Sequence, residues 1–173
     1  MVIILDSIRS IHNVGSIFRT ADAAGVKKIY LCGVTPMPTD RFGKVRPQFQ
    51  KVALGAQHSV EWEYFDSIVP CMQALKKQDY TIVAVEQHRK AIPYYQFRPK
   101  TYSLQRIALI FGNEVRGMSP AVLKKADAIL EIPMRGKMVR QAHHPKNHPE
   151  QSRGKESLNV SVAVGIVLFG IQY

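Results

Sequence analysis

Apolar residues arrive along this chain in short runs, and the spacing alternates between that of a strand and that of a helix. Val2–Leu5 is an unbroken aliphatic run, as a strand buried on both faces requires. Val14, Ile17, Phe18, Ala21 and Ala24 then recur three and four residues apart, which predicts one face of a helix, with Gly25 placed to end it. Lys28–Cys32 predicts a second strand, stopped by Gly33. Residues 34–58 read as loop, with Pro36, Pro38 and Pro47 among Arg41, Lys44, Arg46 and Lys51. Val60, Trp62 and Tyr64 alternate as in a short half-exposed strand, and Asp66 is placed to cap a helix running through Lys77. Tyr80–Val85, Ile107–Phe111 and Ala128–Ile132 predict three more strands, and Ser119-Pro120 a helix start with cap and first-turn proline. From Ser157 to about Ile171 a helix is apolar nearly all round, which predicts burial.

This β-α-β alternation predicts an α/β fold: an open, mostly parallel sheet with helices on both faces, in a single domain spanning 1–173. Such sheets bind ligands beyond the carboxyl ends of their strands. That rule selects the segments 6–15, 33–35, 112–118 and 133–157.

One stretch breaks the pattern. Arg-Gly-Lys occurs at Arg135-Gly136-Lys137 and again at Arg153-Gly154-Lys155, and without residues 138–155 the chain reads IPMRGKESLNVSVAVGI. We read 138–155 as an insertion in a short strand-to-helix loop. Loop growth from about 8 to about 26 residues costs on the order of 1 kcal/mol of closure entropy, so the fold tolerates it.

Charge adds a partner class. With 24 Lys and Arg against 13 Asp and Glu, the 173 residues carry a formal charge of +11, which suits a polyanion, most simply nucleic acid. Hydrophobic residues make up 46%, enough for a core, but no run is long enough to span a bilayer. Cys32 and Cys71 are too few for a disulfide framework, and Met1 leads straight into a strand with no signal peptide, so a cytoplasmic protein is expected.

Gly112-Asn113-Glu114-Val115-Arg116-Gly117-Met118-Ser119 has the glycine spacing of a phosphate-binding P-loop, but Met118 stands where the lysine must be, which disfavours an NTPase. The middle glycine of GxGxxG is absent as well. What remains is a strand followed by a glycine turn that brings backbone groups close to a flat ligand. Arg19 lies off the apolar face of its helix, either free for an anion or solvated, and Asn13 is either a cap or a functional amide. Ser157 reads as an N-cap, whereas Asn159, in an otherwise apolar helix, must find hydrogen bonds. His143, His144 and His148 have metal-like spacing, but Pro145 and Pro149 would break the helix it needs, so no metal is expected.

With those segments in hand, the chain resembles the SpoU-type (TrmH-like) RNA 2′-O-methyltransferases of the SPOUT superfamily. Three motifs carry the resemblance in order: Leu5 to Asp22, with its Asn13-Val14-Gly15 and Arg19; Ile110 to Gly117; and Ile132-Pro133-Met134, resumed at Ser157-Leu158-Asn159. The resemblance covers the chain apart from 138–155. It implies a deep C-terminal trefoil knot, S-adenosylmethionine as cofactor, RNA as substrate and a homodimer with its site at the interface. It assigns Gly112, Ile132, Met134 and Leu158 to the cofactor and Asn13, Arg19, Glu114, Ser157 and Asn159 to the polar active site. The lack of an appended RNA-binding domain leans the expectation towards tRNA over rRNA. The competing expectation is a knotted RNA-binding protein that has lost methyl transfer through the insertion.

Overall fold

The computed structural model describes residues 1–98, 104–134 and 158–172. The insertion at 138–155, the three histidines within it and Ser157 lie outside the described residues.

Among the described residues seven strands form one sheet: β1 (Val2–Asp6), β2 (Lys28–Cys32), β3 (Glu61–Phe65), β4 (Thr81–Val85), β5 (Ile92–Pro93), β6 (Ile107–Phe111) and β7 (Ala128–Glu131). Their spatial order is β3-β2-β1-β6-β4-β7-β5, and every neighbouring pair is parallel. The strands made last, β6 and β7, occupy interior places: β6 lies between β1 and β4, and β7 between β4 and β5. Among the described residues six α-helices cover the sheet: α1 (Ile11–Ala23), α2 (Pro47–Ala53), α3 (Ala56–Ser59), α4 (Ile68–Lys76), α5 (Pro120–Lys125) and α6 (Val160–Gln172).

The pleat of the central strands divides their side chains between two cores. Ile3 and Leu5 of β1 point with Leu109 and Phe111 towards α1, α2 and α6. Val2 and Ile4 point with Ala108 and Ile110 towards α4 and α5. Both faces are covered, so the central strands must be apolar along their buried length, as β6 is throughout and β1 is from Val2 to Leu5. β3 forms the edge, and its half-exposed Trp62 and Tyr64 match the alternation read there. Cys32 is a buried core residue; its hydrogen bond with the buried Cys71, then burial itself, push its thiol pKa up.

Four local readings need correction. Residues 34–58 are not all loop: Pro47 supplies a first helical position, and Phe49 and Ala53, four apart, bury one side of α2, so packing outweighs the proline-rich neighbourhood. Ser67, not Asp66, occupies the cap position of α4. Ser10 caps α1 by accepting the Asn13 N–H at 3.2 Å, which puts Asn13 inside the first turn and frees its side chain. In α6, Val160, Val164, Val167 and Leu168 are buried against the body, but Val162 and Phe169 are 49% and 41% exposed. One domain offers α6 cover on a single side.

Candidate functional site

The carboxyl ends of β4, β6 and β7 and the start of α6 surround a cleft of about 640 Å³, counting the part open to solvent. Gly112 and Glu114 after β6, Ile132 and Met134 after β7, and Leu158 before α6 line it. Three segments far apart in sequence thus meet at the edge where a parallel sheet binds its ligands.

The turn after β6 is built by side chains. Asn113 Oδ1 accepts the Val115 and Arg116 N–H groups at 3.0 and 2.9 Å, and the Gly117 N–H closes on Asn113 O at 2.9 Å. Asn113 Nδ2 donates to Ser7 O at 2.8 Å, which ties the turn to the loop after β1. Glu86, directly after β4, accepts the Met118 N–H at 2.9 Å through Oε2 and the Gln87 N–H at 3.1 Å through Oε1. Gly117 has φ +65°, and a Cβ there would lie 2.5 Å from that Oε2. A Cβ on Gly112 would meet Met118 Cγ at 2.5 Å, so only glycine lets the chain turn back so closely and keeps the backbone open to the cleft.

Polar side chains meet at the rim. Asn13 Nδ2 donates to Glu114 Oε1 at 3.0 Å, and Asn159 Nδ2 donates to Asn13 Oδ1 at 3.2 Å. Residues 101 and 146 positions apart are therefore joined in one chain of hydrogen bonds. Glu114 stands on the cleft wall, and the two amides reach the cleft through it. Asn159 is the cap of α6 rather than an interior residue, accepting the Ser161 N–H and hydroxyl at 2.9 and 2.7 Å. Its amide is satisfied from both ends: the oxygen orders the helix and the nitrogen orders Asn13.

Arg19 is not on the cleft wall. It lies six residues beyond Asn13 in α1, about 9 Å along the axis, and is exposed without a hydrogen-bond or ion-pair partner among the described residues. Asp6 ends β1 close to the turn, and burial raises its carboxyl pKa, a shift opposed by the Ser7 hydroxyl bonded to it at 3.2 Å.

Glu86 and Asn113 escaped the sequence reading. Asn113 was inside a selected segment but carried no expected role. Glu86 directly follows a predicted strand, so the strand-end rule that selected 112–118 would have found it. Among the described residues no group of His, Cys, Asp and Glu could hold a metal, and no helix is long and apolar enough to cross a membrane.

Comparison with known proteins agrees with this architecture. The chain is 31% identical to a 23S rRNA (guanosine-2′-O-)-methyltransferase, RlmB, of Salmonella typhi over 168 residues, 97% of this chain but 58% of that protein. It therefore spans little more than half the length of that relative. Among solved structures it superposes on AviRb, a SpoU methyltransferase of Streptomyces viridochromogenes in complex with AdoMet, with a TM-score of 0.76 at 22% identity, over 99% of this chain and 58% of AviRb, a likeness of fold. A structure concerned with 2-OH methylation of C/U34 on tRNA matches with a TM-score of 0.73 and 25% identity, over 99% of this chain and 93% of that one. The sequence profile of the SpoU rRNA Methylase family matches residues 1–140, from β1 through the whole of the cleft's first two walls. The chain belongs to the SpoU rRNA Methylase family.

Proposed function

We propose that the protein is an S-adenosylmethionine-dependent RNA methyltransferase that methylates a ribose 2′-hydroxyl, on tRNA in preference to rRNA. The observation that carries this reading is the Asn159–Asn13–Glu114 chain standing at the rim of a cleft edged by Gly112, Ile132, Met134 and Leu158.

The cleft fits the cofactor. Ile132, Met134 and Leu158 offer apolar surface for an adenine ring, the Gly112 backbone is open for hydrogen bonds, and the Glu131 carboxylate on the wall complements a cationic ligand. When bound, the cofactor supplies an electrophilic methyl group on a sulfonium. The chain's own task is to bring a ribose oxygen in line with it, which is mainly a matter of positioning. Asn13 and Asn159 are suited to orient the hydroxyl, and Glu114 fixes Asn13. Arg19 offers a cationic guanidinium fork, so its role is to clamp the RNA phosphate and stabilise the developing alkoxide.

That role requires Arg19 to reach a cleft, and in one protomer it lies outside. A homodimer meets the requirement: α1 packs on α6, and the exposed Val162 and Phe169 of α6 give a second copy an apolar seat. Ser157 belongs to the same proposed polar set through the motif it shares with Leu158 and Asn159. The interior places of β6 and β7 support a trefoil knot in the C-terminal part. The single domain and the insertion at 138–155 belong to the same proposal, with Met134 and Leu158 on either side of the insertion facing one cleft. The choice of tRNA rests on the likeness to the structure concerned with 2-OH methylation of C/U34 on tRNA.

The test is transfer of labelled methyl groups from S-adenosylmethionine to bulk tRNA and rRNA, followed by nucleoside analysis. A 2′-O-methylated nucleoside in tRNA is the expected result. Label on a base, or RNA binding with no cofactor binding, overturns the reading.

A further inference from the structure

The connection from β2 to α2 displays a side chain that neither the cores nor the cleft use. Phe42 is 73% exposed, and the Arg41 guanidinium stands over its ring at 4.7 Å from the centroid. The segment that carries it is held in place. Asp40 Oδ1 accepts the Phe42 and Lys44 N–H groups at 2.8 and 3.0 Å. Its backbone exchanges hydrogen bonds around the same turn: Asp40 N to Lys44 O at 2.8 Å and Gly43 N to Asp40 O at 3.0 Å. Arg46 closes the base by donating its backbone N–H to Pro38 O at 2.9 Å and Nε to Thr39 O at 3.1 Å, beside an antiparallel bridge between Thr39 and Val45.

An ordered turn that ends in an exposed aromatic leaves apolar surface in water with nothing gained for the fold. The surrounding charge narrows the choice of partner. Arg41 and Lys44 are exposed and make no ion pair among the described residues, and the one carboxylate within 34–58, Asp40, is spent on the turn itself. Aromatic faces flanked by free cations match unpaired nucleotides, whose bases stack and whose phosphates need positive charge. The turn leaves the sheet at its carboxyl edge, and β2 lies two strands from β6, about 10 Å at ordinary strand spacing.

We propose that the turn Thr39–Val45 is an RNA-docking knob, in which an unpaired nucleobase stacks on the free face of Phe42 while Arg41 and Lys44 hold its flanking phosphates. It rests on the reading above that the substrate is RNA. It adds a contact at the same carboxyl edge, two strands from β6, which positions a substrate that the cleft alone grips at one ribose.

The test uses the full chain with three probes: unfractionated bacterial tRNA, a single-stranded oligouridylate of about twelve nucleotides, and an RNA duplex of the same length, each at two salt concentrations. Phe42→Ala should weaken binding to tRNA and oligouridylate about 5- to 150-fold, the range that base–aromatic stacking spans, and leave duplex binding within about two-fold. Phe42→Trp in a Trp62→Phe background should restore affinity, with its emission quenched as RNA binds. Arg41→Ala and Lys44→Ala should each lower the slope of log K against log salt by about one. The exposure of Phe42 makes these changes harmless to the fold, which circular dichroism verifies. Wild-type affinity of Phe42→Ala for tRNA and oligouridylate, or an equal loss on all three probes, overturns the knob and leaves the methyltransferase reading standing. Failure of the unaltered chain to bind any of the three overturns both.

Discussion

Replacing Gly117 by alanine separates two costs that the structure predicts will add. Gly117 sits at φ +65°, and an L-residue there costs about 1–2 kcal/mol. The new Cβ would lie 2.5 Å from Glu86 Oε2. That oxygen is the end of a flexible side chain, so it swings aside rather than resisting, and the cost becomes its lost bond to the Met118 N–H, about 1.5–3 kcal/mol for an ionised acceptor. The sum is about 2.5–5 kcal/mol, or roughly 5–20 °C in Tm for a chain of this size. Gly25→Ala is the control: Gly25 has φ +66° but nothing within 4 Å of an added Cβ, so it should lose only the backbone part. A double-mutant cycle with Glu86→Ala completes the assay, since Gly117→Ala should cost no more than Gly25→Ala once the carboxylate is gone. Calorimetry with S-adenosylmethionine should show weaker binding in Gly117→Ala alone, because Met118 is the residue packed against Gly112 on the cleft wall. Equal losses at Gly117 and Gly25, or no coupling to Glu86, would refute the argument that Glu86 braces this turn.

Arg19→Ala should abolish methyl transfer while cofactor affinity by calorimetry stays within about two-fold of wild type; turnover near wild type removes Arg19 from the mechanism. Asn159→Ser keeps a helix-capping oxygen but loses the donor to Asn13, so denaturant stability should change by under about 1 kcal/mol while transfer falls on the order of 100-fold, and unchanged transfer would break the proposed amide chain. Deleting 138–155 should leave cofactor affinity and stability at least as high as in the full chain, whereas loss of cofactor binding sinks the insertion reading. For Asp6, burial raises the folded-state pKa, so its contribution is fully present below the ordinary carboxyl range and is lost as pH rises through the raised value. The stability of Asp6→Asn relative to wild type should therefore grow with pH across that window, and a flat difference in chemical denaturation would contradict the assignment.

Hydrophobic spacing was sufficient for the central strands and α1, because residues buried on both faces of a sheet, or on one face of a helix, carry their environment in their own sequence. It failed where a neighbour decides. α2 forms because Phe49 and Ala53 find the body of the protein, and proline content argued against it. α6 is apolar all round in sequence, yet only its packing partner reveals which side is covered and that Val162 and Phe169 are not. The residue types of the site were legible at three strand ends: Asn13, Glu114 and Asn159 are polar groups where a parallel sheet binds its ligands. Their connection was not. That Glu114 holds Asn13, that Asn159 reaches Asn13 from across the chain, and that Glu86 braces the glycine turn are consequences of strand order, which places β6 beside both β1 and β4. Spacing along a chain encodes what each residue buries locally; which distant residue completes its hydrogen bonds is settled only when the sheet assembles and closes the distance.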